Sequence, residues 1–374
     1  MTHPQRSISR LRLSAYRNYQ SAALDLDHRH VVLTGENGSG KTNLIEAISL
    51  LAPGRGLRRA GFDTVGMAGS DTPWAVAATV ETEFGPVDIG TGATADAGSR
   101  RVRINGANAR TVEQMSEYLR VLWITPAMDG LFTGPAGERR RFFDRLVTTL
   151  HPGHGAAVSD FEKAMRQRNK LLDDGGDPGW LSAIEAQMAE LASAVHFART
   201  DSIAHLQALM GQSVADTGFP EALIELSPLL DGPEPRTGSE LEAALAGLWR
   251  ETRALDRAAG RTTSGPHRVD LSVTHAPKAM PAGLCSTGEQ KALLIGLILV
   301  HARLVQQMAG ITPILLLDEI AAHLDPTRRR ALFAALERLA TQCWMTGTDA
   351  VLFSELGARA QYFSVSAGQL RPAA

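Results

Sequence analysis

The run Gly35-Glu36-Asn37-Gly38-Ser39-Gly40-Lys41-Thr42 constrains this chain of 374 residues more than any other stretch. It has the form G-x-x-x-x-G-K-[ST] and stands between a short apolar strand, Val31 to Thr34, and an apolar-rich helix over Asn43 to Leu51. Glycines let the backbone wrap a phosphate at close range, and consecutive N–H groups at a helix start bind the anion. In such a loop Lys41 reaches the β- and γ-phosphates and Thr42 holds Mg²⁺. Only five of the 38 basic residues are lysines, so the lysine in this slot carries weight that no single arginine does. The expected ligands are ATP and Mg²⁺.

Two further motifs extend the expectation. Ile314-Leu315-Leu316-Leu317 reads as a fully buried strand followed at once by Asp318-Glu319. That places two carboxylates at the C-terminal edge of a sheet, on a strand expected to neighbour that of the phosphate loop. There Asp318 is expected to coordinate Mg²⁺ through water and Glu319 to polarise the attacking water. With Lys41 they form the expected catalytic set. Ser286-Thr287-Gly288-Glu289-Gln290 opens an apolar helix and has the S-x-G-x-Q form of an ATP-binding-cassette signature. Its free N–H groups and Ser286 make a second anion site without a lysine of its own. Ser286, Gly288 and Gln290 are therefore expected at nucleotide, on a different face from the first loop. A serine N-cap with Glu289 in the first turn is the plainer reading of the same residues. His323-Leu324-Asp325 matches the loop that communicates between two such sites, and Asp325 joins the expected nucleotide set.

The organisation follows from periodicity. Residues 1–134 read as a β-rich lobe: Ser7 to Leu13, Ala75 to Phe84, Val87 to Thr91 and Arg101 to Asn105 alternate as strands do. Residues 135–260 turn helical with little β signal. Val158, Phe161, Met165, Arg168 and Leu172 form one seam and Leu181, Ile184, Met188, Leu191, Val195 and Ala198 another, joined by the turn Asp173 to Gly179. An antiparallel helical hairpin is expected, against the alternative of two helices lying on a globular core. A 30-residue arm would span about 45 Å. Residues 261–374 return to β/α. The fold class is α/β: a nucleotide-binding head with a β-rich and a β/α lobe, split by an inserted helical lid or arm domain.

Composition excludes several classes. Net charge is −2, with 44% hydrophobic and 21% charged residues, which is ordinary for a folded chain and wrong for a disordered or fibrous one. Cys285 and Cys343 make neither a disulfide framework nor a metal-spaced pair, so a reducing cytoplasm is expected. The longest apolar run, Ala292 to Val300, is nine residues, and no membrane partner is expected.

At this point the chain resembles the RecF family of DNA replication and repair ATPases, related to SMC and Rad50 heads. The resemblance runs through Tyr16-Arg17-Asn18-Tyr19, Gly35 to Ala47, Arg103-Ile104-Asn105-Gly106 and Gly134 to Asp144. It continues in Arg168-Asn169-Lys170-Leu171-Leu172, Ser264-Gly265-Pro266-His267-Arg268 and Leu315 to Leu332. It implies an ABC-ATPase head that dimerises on ATP, binds duplex and gapped DNA, and acts with RecO and RecR to direct RecA to gaps. The region of Trp123 to Asp129 shows no clear Q-loop glutamine. Thr346-Gly347-Thr348-Asp349 stands where transporter cassettes have a switch histidine, so slow hydrolysis is expected.

DNA contact needs local positive charge on a net-acidic chain. The candidates are Arg55/Arg58/Arg59, Arg100/Arg101/Arg103, Arg139/Arg140/Arg141 and Arg328/Arg329/Arg330, each also readable as a solvated face. The rival classes are a transporter nucleotide-binding subunit, an SMC-like tether and a metabolic kinase. Against them stand the missing switch histidine, the short arm and the Ser286 motif.

Overall fold

The computed structural model describes residues 6–93, 99–233 and 235–373; the side chains of 212–217 and of His323 also lie outside the described set. The chain divides into two compact units. The first holds residues 1–130, 209–222 and 285–374, and the second holds 131–208 and 223–284.

The first unit carries two six-stranded sheets. One is antiparallel, in the order β2 (Tyr19–Asp25), β1 (Ser7–Tyr16), β4 (Trp74–Thr82), β5 (Gly85–Ala93), β6 (Arg101–Ile104), β7 (Ala107–Asn108). Its strands alternate buried and exposed residues, as a sheet with one wet face must. The other has the order β15 (Gln369–Pro372), β14 (Ala360–Ser366), β3 (His30–Thr34), β13 (Cys343–Gly347), β12 (Ile314–Leu317), β8 (Val121–Ile124). From β14 to β8 its pairs are parallel. His-Val-Val-Leu-Thr and Ile-Leu-Leu-Leu are buried at every position, the signature of parallel strands covered on both faces.

Helix α1 (Lys41–Ser49) follows β3. Of the first unit's later helices, α7 (Thr287–Ala309) precedes β12 and α8 (Pro326–Arg338) follows it. The nine-residue apolar run Ala292 to Val300 lies inside α7. By length and composition this helix is able to cross a membrane, yet 72% of its most apolar window is buried within the protein. Gly296 lets Phe219 and Pro220 approach it closely.

The second unit contains α2 (Ala136–Leu150), α3 (His154–Asp173), α4 (Pro178–Thr217, whose residues from Leu209 onward belong to the first unit), α5 (Gly238–Glu251) and α6 (Arg253–Ala259). The two seams do form successive helices joined by the expected turn. Their inner residues Phe161, Ala164, Met188 and Ala192, however, share one core with Leu241, Leu245 and Trp249 of α5. The pair is thus part of a globular helical cluster, as the alternative reading had it, and not a free two-helix arm. The expectation of little β signal before residue 260, and the boundary there, also differ from what is found. Strand β9 (Ala222–Leu226) joins β10 (Leu271–His275) and β11 (Met280–Pro281) in a three-stranded sheet, so residues 261–284 group with the helical unit. The alternation in Ala222-Leu-Ile-Glu-Leu is the signal that was overlooked.

Candidate nucleotide site

The turn from β3 into α1 is built on left-handed glycines. Gly40, at φ 118°, is the N-cap of α1, and a Cβ there would lie 2.6 Å from Asn18 Nδ2 and 2.8 Å from Tyr19 Oη. A Cβ on Gly35 would lie 2.2 Å from the Val365 carbonyl oxygen. No other residue fits either position. Glu36, Asn37 and Gly38 form the exposed crest, and Ser39 and Gly40 are buried.

Side chains from the β1–β2 turn hold this loop from behind. Tyr19 Oη donates to the Gly40 carbonyl at 3.0 Å, and Asn18 Nδ2 donates to the Ser39 carbonyl at 3.2 Å. Burial pushes the Tyr19 phenol well up, so it remains a donor. Arg17 forks onto the buried carboxylate of Glu46 in α1 at 2.8 and 3.0 Å, and Arg58 reaches the same carboxylate at 2.8 Å. No local pattern in Tyr16 to Tyr19 announces this role; it follows from their place in the β1–β2 turn against the loop.

Lys41 is 4% exposed, and its ammonium donates to the carbonyls of Gly35 and Glu36 at 2.7 and 2.8 Å. The charge is stored across the loop mouth. Burial lowers its pKa, while the charges of Glu319 and Asp318 oppose that shift.

Asp318 and Thr42 meet although they are 276 residues apart: Thr42 Oγ1 lies 3.1 and 3.2 Å from the two carboxylate oxygens. The strand leading into the phosphate loop, β3, and the strand ending at Asp318, β12, are not the neighbours that the motifs suggest; β13 runs between them. That strand contributes Thr346, fully buried, whose hydroxyl donates to Asp318 Oδ1 at 2.7 Å and accepts the N–H of Glu319 at 2.9 Å. Burial raises the pKa of Asp318, and the hydrogen bonds from Thr346 and Thr42 pull it back. Glu319 sits at φ 52°, in the left-handed region that costs a non-glycine residue roughly 1 kcal/mol or more.

The oxygens of Thr42 and Asp318 suit a small hard cation. Magnesium held at about 2.1 Å in octahedral geometry places adjacent ligands about 3 Å apart and draws its remaining ligands from phosphate and water. Among the described residues there is no cluster of three or more His, Cys, Asp or Glu able to hold a metal by itself. The pair fits Mg²⁺ accompanied by a phosphate chain.

Ser286 caps α7. Its hydroxyl accepts from the Glu289 N–H at 3.4 Å and donates to the Glu289 carboxylate at 2.9 Å, a capping box on an exposed turn. Gln290 points inward, 6% exposed, with Nε2 on the Cys285 carbonyl at 2.8 Å; its amide holds the turn from inside. Asp325 caps α8 by accepting the Arg328 N–H at 2.9 Å, and Arg328 Nη1 donates to the Gly288 carbonyl at 3.0 Å. Ser286, Gly288 and Asp325 thus lie on connected turns. In the Trp123 to Asp129 segment, which has no glutamine, Asp129 pairs with Lys291 of α7 at 3.0 Å.

Most of the candidate DNA arginines are already engaged. Arg100 is 8% exposed and donates to the carbonyls of Leu50 and Ala52 at the end of α1, so it does not reach solvent phosphate. Arg139 forks onto Asp270, Arg140 donates to the Val269 carbonyl, and Arg141 pairs with Glu138. Among the described residues Arg55 and Arg101 are exposed and carry no ion pair, as does Arg12, which no motif singled out.

A phosphate loop after β3, an acidic end to β12 and a capped signature turn on α7 define an ATPase head of the ATP-binding-cassette class. Residues 7–368 match the family described as RecF/RecN/SMC N terminal domain. The DNA replication and repair protein RecF of Rhizobium rhizogenes (strain K84) is 56% identical over 364 residues, covering 96% of this chain and 97% of that one. Its counterpart in Agrobacterium fabrum (strain C58) is 54% identical over 366 residues, covering 97% of each. In fold, the chain is similar to the recombination mediator protein RecF bound to an ATP analogue, with a TM-score of 0.86 at 19% identity over the whole of both chains. An SMC head from Pyrococcus furiosus gives 0.53 at 16% identity, covering 98% of this chain and 96% of that one. The chain belongs to the RecF family.

Proposed function

We propose that the chain is an ATP-dependent DNA clamp of recombinational repair. ATP with Mg²⁺ binds at Gly35 to Thr42, with Lys41 moving from the loop carbonyls to the β- and γ-phosphates and with Thr42 and Asp318 holding the metal. Two copies close on two nucleotides, each lying between the phosphate loop with Asp318 and Glu319 of one copy and Ser286 and Gly288 of the other. Closure is favoured because only the closed pair satisfies the γ-phosphate from both sides, and such differential affinity shifts a population. Glu319 polarises the water whose attack ends that state, and slow hydrolysis releases the clamp. The closed pair holds duplex or gapped DNA in the cytoplasm, with RecO and RecR as expected partners in directing RecA.

The observation that carries this reading is the Thr42–Asp318 contact, which joins the phosphate loop to the acidic strand end. Relatives named for DNA replication and repair, and solved relatives described in the RecFOR pathway, support the DNA role. Anisotropy of labelled duplex, read across salt with and without ATP, tests it. Binding is expected to strengthen with ATP, to weaken steeply with salt because arginines neutralise phosphates, and to lose its ATP response in Lys41→Arg. Equal DNA affinity under all three conditions contradicts the proposal.

A further inference from the structure

The signature turn lacks a cation of its own, and the structure supplies one from another element. Arg328, in the first turn of α8, donates from Nη1 to the Gly288 carbonyl at 3.0 Å across 40 residues of sequence. Its own N–H bonds Asp325 Oδ1 at 2.9 Å, and its Nε lies 3.6 Å from Asp325 Oδ2. One residue therefore ties the Asp325 loop to the Ser286 turn. The guanidinium lies against the turn: a Cβ on Gly288 would sit 3.4 Å from Nη1, at contact distance.

The chemistry is directional. The Gly288 carbonyl and the Glu289 N–H belong to the same peptide unit, and that N–H bonds the Ser286 hydroxyl that caps α7. A guanidinium on the oxygen side of a peptide polarises its N–H into a stronger donor, as linked hydrogen bonds do. The bond also fixes the position of the turn relative to Asp325. Resting on the two-copy reading above, we propose that Arg328 is a positioning residue of the face that a second copy of this chain meets. It holds the signature turn and the Asp325 loop as one rigid element, so that the second copy's nucleotide and the loop beside it are engaged together. The partner is a nucleotide-loaded copy of the same chain; Arg328 itself touches no nucleotide within its own copy.

The test measures the dimer dissociation constant by sedimentation with a nonhydrolysable ATP analogue, alongside nucleotide affinity at low protein concentration and the melting temperature. Loss of one charge-assisted hydrogen bond is expected to weaken dimerisation about tenfold in Arg328→Gln. Nucleotide affinity of the single copy and the melting temperature should stay at wild-type values. Arg328→Lys keeps the charge but not the fork, and is expected to fall between the two; it also serves if Arg328→Gln folds poorly. Wild-type dimerisation in both variants, with Ser286→Arg abolishing it, overturns the role of Arg328 alone. Wild-type dimerisation in Ser286→Arg as well overturns the two-copy site on which it rests.

Discussion

Thr346 Oγ1 donates to Asp318 Oδ1 at 2.7 Å while accepting the Glu319 N–H at 2.9 Å, so one buried hydroxyl sets both the carboxylate proposed to hold the metal and the backbone of the glutamate proposed to polarise water. Replacing it with an isosteric methyl removes one of the hydrogen bonds to Asp318 and the side-chain partner of the Glu319 N–H, a cost of about 1–3 kcal/mol. Thr346→Val is expected to lower ATP turnover by one to two orders of magnitude while nucleotide affinity without metal stays unchanged. Thr346→Ser, which keeps the hydroxyl, should retain most of the rate. Steady-state kinetics against Mg²⁺ concentration reads the difference, and equal turnover in Val and Ser variants argues against the role.

Tyr19 shapes the phosphate loop from outside the motif. Its phenol spans to the Gly40 carbonyl, the N-cap of α1. Tyr19→Phe is expected to cost about 1 kcal/mol of stability and to weaken ATP binding several-fold. Calorimetric titration checks this; unchanged affinity would show that the glycines alone hold the loop.

Arg168 is fully buried, with Glu185 at 2.9 Å, Asp256 at 2.7 Å, Thr262 at 2.9 Å and the Trp249 carbonyl at 2.7 Å. Asp256 has its ion pair from it alone among the described residues, while Glu185 shares it with Arg253. Removing one member of such a network destabilises by about 3–5 kcal/mol, because the other charges stay buried without their partner. Arg168→Leu should therefore show a sharply lower urea midpoint, followed by tryptophan fluorescence. A midpoint within error of wild type would mean that water reaches the cluster.

Two histidines make the fold acid-sensitive. Burial pushes both His30 and His267 down to about 4 from 6.5, and His30 Nδ1 accepts the Cys343 N–H at 3.2 Å. The unfolded chain protonates them near 6.5, so between pH 6.5 and 4 it binds more protons than the folded one. Stability then falls as pH drops through that window, by up to about 3 kcal/mol for each histidine. Melting temperature should decline from pH 6.5 to 5 and decline less in His30→Asn, which keeps an acceptor. A flat profile contradicts neutral burial.

The nucleotide motifs were legible because each is local: Gly35 to Thr42 needs only a strand before it and a helix after it, and Asp318 needs only a buried strand. Strand order was not legible. Nothing within Cys343 to Gly347 reveals that it runs between β3 and β12, so the sequence shows Thr346 only as standing near the switch-histidine position of transporter cassettes and not as the residue joining Asp318 to Glu319. The helical seams were visible as a period, but what fills their inner face depends on Trp249, some 70 residues beyond the turn, and periodicity carries no such information. Arginine patches are ambiguous in sequence for a related reason. A run such as Arg139-Arg140-Arg141 shows charge, while its engagement with Asp270 and the Val269 carbonyl appears only once the chain is folded.

The most direct measurement is the mass of the protein by equilibrium sedimentation with a nonhydrolysable ATP analogue and Mg²⁺, for the wild type and for Ser286→Arg. The account predicts twice the chain mass for the wild type with nucleotide, the single-chain mass without it, and the single-chain mass for Ser286→Arg in both conditions. A nucleotide-loaded wild type that stays at the single-chain mass up to high concentration, or a Ser286→Arg variant that pairs as readily as wild type, contradicts it.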